Sequence, residues 1–441
     1  MVFAHGIGGA KDLPIPAVYA MAGAGAALAV SFIVLAIAWR TPRFDAARNG
    51  RAGPAWLASL VDSRGFAAVP RLLGMAFFLY VAWAAVAGPD LLTNPTFGVV
   101  YVLLWVGIVP MSLLVGPFYR AVSPLRTLHL AFTRLTGGRP EAGLLVLPRW
   151  VGYWPAALGL LAFVWLELVY PGSTYLSPVR LWFAAYIAVT VIGAAVFGDE
   201  WFEHADPFEV YSTLAGHLSV FGRLGERGDG PLVIRSPLGN LDGVRAEPGL
   251  VGVVAVLFGS TAFDSFKDSN EWLKFTQSVS LSSTWLDFGA LMVFCLAIGV
   301  TFAVATMATG VEPGLLRRTL PDRFAHSVVP IVVGYIAAHY LSYFVEVGQQ
   351  TVVLLSDPLS RGWDLLGTAN WPVSYWISEH PRFLAVLKVA AVVTGHVLGV
   401  VAAHDRAIKL LPPRHQLTGQ LPLLFVMVLY TVTGLYLLFG A

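Results

Sequence analysis

Charge and cysteine are what this chain has least of. Asp, Glu, Lys and Arg make up 12% of its 441 residues, about half the share of an ordinary soluble domain, which excludes a large solvated surface. The one cysteine, Cys295, rules out an intrachain disulfide and any two-cysteine metal or redox motif. Within an apolar stretch it reads as a small core residue. A formal net charge of +2 offers no strongly basic surface, so nucleic acid is not an expected partner. Soluble-enzyme signatures are missing too. No GxxxxGKS/T, HExxH, CxxC or GxSxG occurs, and "GAGAAL" at residues 23–28 lies in an apolar run with no strand before it, so it is no dinucleotide loop.

What is present is hydrocarbon. Hydrophobic residues reach 57% and mean hydropathy is +0.70, the composition of an integral membrane protein. An all-α bundle follows, because in a bilayer each helix satisfies its own backbone. Ten segments are long enough to cross a core of roughly 30 Å: 17–38, 72–88, 98–116, 152–170, 180–197, 249–266, 288–309, 326–350, 384–403 and 420–440. The first reads as a span rather than a cleavable signal, since no basic region precedes it and it runs on into Trp39 and Arg40. With both termini outside, the cytoplasmic loops hold 21 of the 28 Lys and Arg, the bias expected of loops retained in the cytoplasm. The chain is thus expected to be one membrane domain, residues 1–441, with about ten transmembrane helices.

The longest loop, 198–248, contains "ADPFEVYSTLAGHLSVFGR". Asp206 can cap a helix, Pro207 suits its first position and Glu209 would complete a capping box. Phe208, Tyr211, Leu214, Ala215, Leu218 and Phe221 recur at helical spacing, which predicts an amphipathic helix on the inner membrane face or against the bundle. "PLVIRSPLGNLDGV" after it alternates and carries turn residues, the pattern of a small hairpin.

Chemistry must come from polar residues within the spans. In "AHYLSYFVEVGQQ", residues 338–350, His339, Tyr343, Glu346 and Gln350 follow i, i+4, i+7, i+11 spacing and share one helix stripe. Such groups facing lipid cost several kcal/mol, so the stripe is expected to line protein or an outward-opening solvated cavity. Counting about 1.5 Å per residue from the cytoplasmic side, His339 stands roughly 20 Å up and Asp264, on another helix, roughly 22 Å up. Asp264 is therefore expected to face His339. His396 lies roughly 18 Å below the outer surface, beside a Gly395/Gly399 pair that allows close helix approach; a hydrogen bond to a neighbouring helix is its plainer reading.

Other polar residues have simpler uses. His404 and Asp405 suit an interface anchor, while His129, His204, His217, His326, His380 and His415 fall in loops or at interfaces. Asp357, Arg361, Trp363 and Asp364 could belong to a lid after the eighth span, although Trp363, Trp371, Tyr375 and Trp376 also fit an aromatic belt. His5 lies outside, in a terminus expected to be mobile.

"AHG", "DPFEVYSTL", "TAFDSF", "AHYLSYFVEVGQ", "SDPLSRGWDLLGTA" and "GHVLGVVAAHDRA" together resemble a family of polytopic bacterial membrane proteins labelled fenitrothion hydrolases, over nearly the whole chain. The resemblance implies a bacterial cytoplasmic membrane and, as one activity, hydrolysis of an organophosphorus ester. Asp264, His339 and Glu346 are the candidate catalytic residues. Asp264, His339 and His396 are the candidate ligands of a divalent metal such as zinc, because phosphotriester cleavage is commonly metal-assisted. Glu346 lies about 10 Å along the axis from His339, so a mononuclear site on Asp264 and His339 is favoured. The expected partners are the lipid bilayer and a small-molecule substrate. A proton- or ion-coupled carrier is the alternative, since intramembrane Asp, Glu and His are the usual parts of proton relays. Haem ligation by His339 and His396 faces a depth mismatch of roughly 8 Å. A non-catalytic subunit of a larger membrane complex is a further reading.

Overall fold

Apolar runs in this chain become helices because hydrocarbon offers the backbone no other partner. A computed structural model describes residues 10–225, 228–311 and 314–439; His5 lies outside the described residues. The main helices are α1 (Ala17–Ala38), α2 (Arg64–Ala87), α3 (Ile108–Val115), α4 (Trp154–Leu168), α5 (Leu176–Phe197), α6 (Pro207–Gly216), α7 (Leu250–Lys267), α8 (Ser283–Met307), α9 (Val329–Leu355), α10 (Pro381–Leu410) and α11 (Leu421–Phe439). Among the described residues, eight helices are long and apolar enough to cross a membrane, or nine if the bent pair around α3 is one span. The chain is a multi-pass membrane protein.

Two of the ten expected segments depart from a straight span. Pro95–Leu104 meets α3 at a 45° bend. Residues 99–104 wind as a π-helix, in which Trp105 N–H bonds Val100 O at 3.2 Å and Gly107 N–H bonds Val102 O at 2.9 Å. The extra residue per turn offsets the hydrogen-bond ladder and turns the axis. Helix α4 has only 15 residues; Pro155 sits in its first turn and Pro171 follows its end, where proline stops helix propagation.

Packing groups the chain into two compact units. The first comprises the described residues up to Asn49, Pro237–Ser342 and those from Tyr375 onward; the second comprises Gly50–Ser236 and Tyr343–Ser374. Helix α9 contributes to both.

In the first unit, small residues bring helices together. A Cβ on Gly259 of α7 would lie 2.6 Å from the Cα of Cys295 on α8, and Cys295 is buried. On α10, a Cβ on Gly395 would lie 2.4 Å from Pro330 O, and one on Gly399 would lie 2.7 Å from Ser327 O. Only glycine permits backbones this close. At one end of α10, Asp405 accepts from Trp39 Nε1 at 3.0 Å and from Arg43 N–H at 2.7 Å, while His404 bonds Gln420 and the Trp39 carbonyl, each at 3.0 Å.

In the second unit, α6 is not a surface helix. Every residue but Thr213 is buried, and it packs on α3, α4 and the short helix Phe118–Val122. Asp206 caps it by accepting from Phe208 and Glu209 N–H, with Pro207 in the first turn. The capping box is replaced. Asp206 N–H bonds Phe202 O at 3.3 Å, and Glu209 forms a two-point ion pair with Arg126, both contacts 2.6 Å. Leu218 and Phe221 lie beyond the helix end. Phe221 opens a strand, so β1 (Arg51–Ala52), β2 (Phe221–Arg223) and β3 (Leu232–Ile234) form an antiparallel sheet in the order β1-β3-β2. The expected hairpin segment supplies β3 to this unit; its remainder, from Pro237, belongs to the first unit and forms the helix Pro237–Leu241.

Candidate functional site

Near its C-terminal end α7 reads "STAFDSFK", residues 260–267, and its last turn emerges from the core. Asp264 is 3% exposed, whereas Ser265, Phe266 and Lys267 are half-buried and Asp268 is exposed. Against it, α9 presents Tyr335 and His339, one turn apart on one face, and Tyr340 beside them. Asp264, Ser265, Lys267, Tyr335, His339 and Tyr340 all belong to the first unit.

Asp264 and His339 meet directly. His339 Nε2 lies 2.9 Å from Asp264 Oδ2, and Tyr340 donates its hydroxyl to the same oxygen at 2.8 Å. Lys267 Nζ is 3.4 Å from Asp264 Oδ1, one turn along α7. A carboxyl facing the Tyr340 hydroxyl and the Lys267 ammonium is arranged as an acceptor, that is, as a carboxylate. The His339 ring, 4% exposed, engages Ser265 Oγ with its other nitrogen, Nδ1, at 3.0 Å. Ser265 Oγ also accepts from the Tyr335 hydroxyl at 3.1 Å and donates to Thr261 O at 3.1 Å. Tyr335 is fully buried, held edge-on by Phe258 at 5.7 Å.

A carboxylate at Nε2 takes an N–H from that nitrogen, which leaves the Nδ1 lone pair on the Ser265 side, and the one Ser265 hydroxyl proton, held by Thr261 O, can turn to Nδ1. The arrangement can accept a proton at Nδ1 while Asp264 stabilises the resulting imidazolium.

Glu346 and His396 are placed differently. Glu346 is buried two turns along α9, in the second unit. Tyr343 is buried and Gln350 half-buried. His396 is fully buried; its Nδ1 bonds Val392 O at 2.9 Å and its Nε2 has no hydrogen-bond partner among the described residues. A resident metal does not fit the Asp264–His339 pair. The ligand atoms it would need face each other, Lys267 supplies a cation beside the carboxylate, and among the described residues no three His, Cys, Asp or Glu gather to hold an ion. In the loop after α9, Asp357 accepts from Arg361 and Gly362 N–H and Asp364 from Ala369 N–H, so the acidic residues shape the loop itself. Trp363 stacks on Trp83 with ring centres 6.1 Å apart.

Sequence spacing did not single out Ser265, Lys267, Tyr335 or Tyr340. Tyr335 and Lys267 left a signal: Tyr335 extends the His339 stripe one turn in the direction opposite to Glu346, and Lys267 stands i+3 from Asp264, a spacing at which helix residues meet. Ser265 and Tyr340 were adjacent to recognised residues but off their faces. Compared with protein-family models, curated proteins and solved structures, the chain matches none.

Proposed function

We propose that the chain spans a bacterial cytoplasmic membrane ten times, with both termini outside, and hydrolyses an apolar organophosphorus ester at the Asp264–His339 pair. The Lys and Arg bias supports the topology, and the motif resemblance supports the class of substrate. One observation carries the reading: a buried imidazole bonded to a carboxylate at 2.9 Å through Nε2, with Nδ1 directed at a hydroxyl. His339 takes the proton of the attacking oxygen, Asp264 steadies the charged ring, and the half-buried last turn of α7 gives access. A neutral triester partitions into hydrocarbon, which suits a site at membrane depth. The step uses neither Glu346 nor His396.

A carrier is the second reading, because Tyr335, Ser265, His339, Asp264 and Lys267 form one continuous polar chain of the kind that moves protons. The two separate on release of nitrophenolate from diethyl 4-nitrophenyl phosphate by the purified protein. Turnover falling about a hundredfold or more in His339→Ala and Asp264→Asn, with both variants folded, is the hydrolase result. No turnover by the wild type, together with proton-coupled substrate uptake in vesicles, is the carrier result.

A further inference from the structure

Resting on the hydrolase reading, we propose that Ser265 is the nucleophile and that hydrolysis proceeds through a phosphorylated Ser265. Ser265 Oγ stands 3.0 Å from His339 Nδ1, and His339 Nε2 stands 2.9 Å from Asp264 Oδ2. Hydroxyl, imidazole and carboxylate are thus joined in the order that activates a serine. The ring nitrogens have exchanged places relative to the familiar serine hydrolases, but the proton path is the same: hydroxyl to lone-pair nitrogen, with the opposite N–H on the carboxylate.

The surroundings fit this role. Tyr335 already donates to Ser265 Oγ at 3.1 Å, so its hydroxyl can turn to a phosphoryl oxygen as charge develops there. Tyr340 and Lys267 hold Asp264 as an acceptor. Ser265 is half-buried while Asp264 and His339 are buried.

The chemistry balances without a further reactant beyond water. Ser265 Oγ forms a bond to phosphorus as its proton passes to His339 Nδ1. The aryl oxygen–phosphorus bond breaks, and the aryloxide leaves with the electron pair and takes that proton. A water molecule then attacks the dialkylphosphoryl serine and gives its proton to Nδ1. The Ser265 oxygen–phosphorus bond breaks, Ser265 regains the proton, and dialkyl phosphate is released.

The test is intact-protein and peptide mass spectrometry of the full-length protein in detergent, treated with diethyl 4-nitrophenyl phosphate, alongside nitrophenolate release. The expected result is one diethylphosphoryl group per chain on Ser265, an initial burst stoichiometric with protein, and loss of adduct and turnover in Ser265→Ala. His339→Asn should suppress the adduct while leaving Ser265 in place. Folding of each variant is checked by hydrogen exchange across α7 and α9; Ser265→Thr, which retains a hydroxyl, should keep part of the labelling. Full turnover in Ser265→Ala would overturn the nucleophile and leave the hydrolase intact, with water attacking directly. Absence of both turnover and adduct in the wild type would overturn both.

Discussion

His339 illustrates how one bond decides what a buried imidazole can do. His396 is equally buried but satisfies Nδ1 on its own helix at Val392 O, whereas His339 is fixed by Asp264 and points its other nitrogen at a hydroxyl. Tyr340→Phe removes one donor from a buried carboxylate and should cost about 1–3 kcal/mol, read as a lower thermal midpoint with the fold retained. Asp206 gives a prediction of another kind. Burial first, and the nearby Glu209 charge second, push its carboxyl up to about 7. The folded chain therefore holds this proton more tightly than the unfolded chain does. The stabilisation is full below the ordinary carboxyl range near about 4 and is lost as pH rises through the folded value. Hydrogen exchange in α6 should accelerate over that window, and Asp206→Asn should remove the acceleration. Asp264 and His339 were legible as a pair because helix rise placed them at one level. Ser265 was not, because a serine inside a helix ordinarily turns back on the carbonyl four residues earlier, here Thr261.

Among elements, the glycine contacts of α10 fix its helix partner by close backbone approach. Gly395→Leu would drive a side chain into the Pro330 carbonyl and should cost about 1–3 kcal/mol or more, seen as a lower unfolding temperature and faster exchange at the α9–α10 contact. The Gly395/Gly399 spacing announced this approach in the sequence. Helix α6 was legible as a helix, with its cap and first-turn proline, and packing against other helices was one of its two expected settings; its burial on nearly every side was not legible. Its spacing shows an apolar face, while Glu209 on the opposite side is buried by pairing with Arg126, a partner far away in sequence. The bend before α3 had no sequence signature, since one π-turn inside an apolar run leaves the hydropathy unchanged.

For the whole molecule, composition alone announces a multi-pass helical membrane protein, and the charge split supports the proposed topology. A reporter fused after Ala441 should be active only outside the cytoplasm; cytoplasmic activity would remove the even-span arrangement and the outward placement of the site. The division into two units was invisible in hydropathy, because both are built from equally apolar helices and α9 passes from one to the other.

The central claim is that Asp264 holds His339 through Nε2 with Nδ1 directed at the Ser265 hydroxyl, where it can act as a base. Nitrogen-15 NMR of histidine-labelled protein, with His339 assigned through His339→Asn, tests it most directly. The expected signal is an Nε2–H ring with an unprotonated Nδ1, whose tautomer balance shifts in Asp264→Asn. A ring protonated at Nδ1 and bare at Nε2 in the wild type, or a signal indifferent to Asp264→Asn, would contradict it.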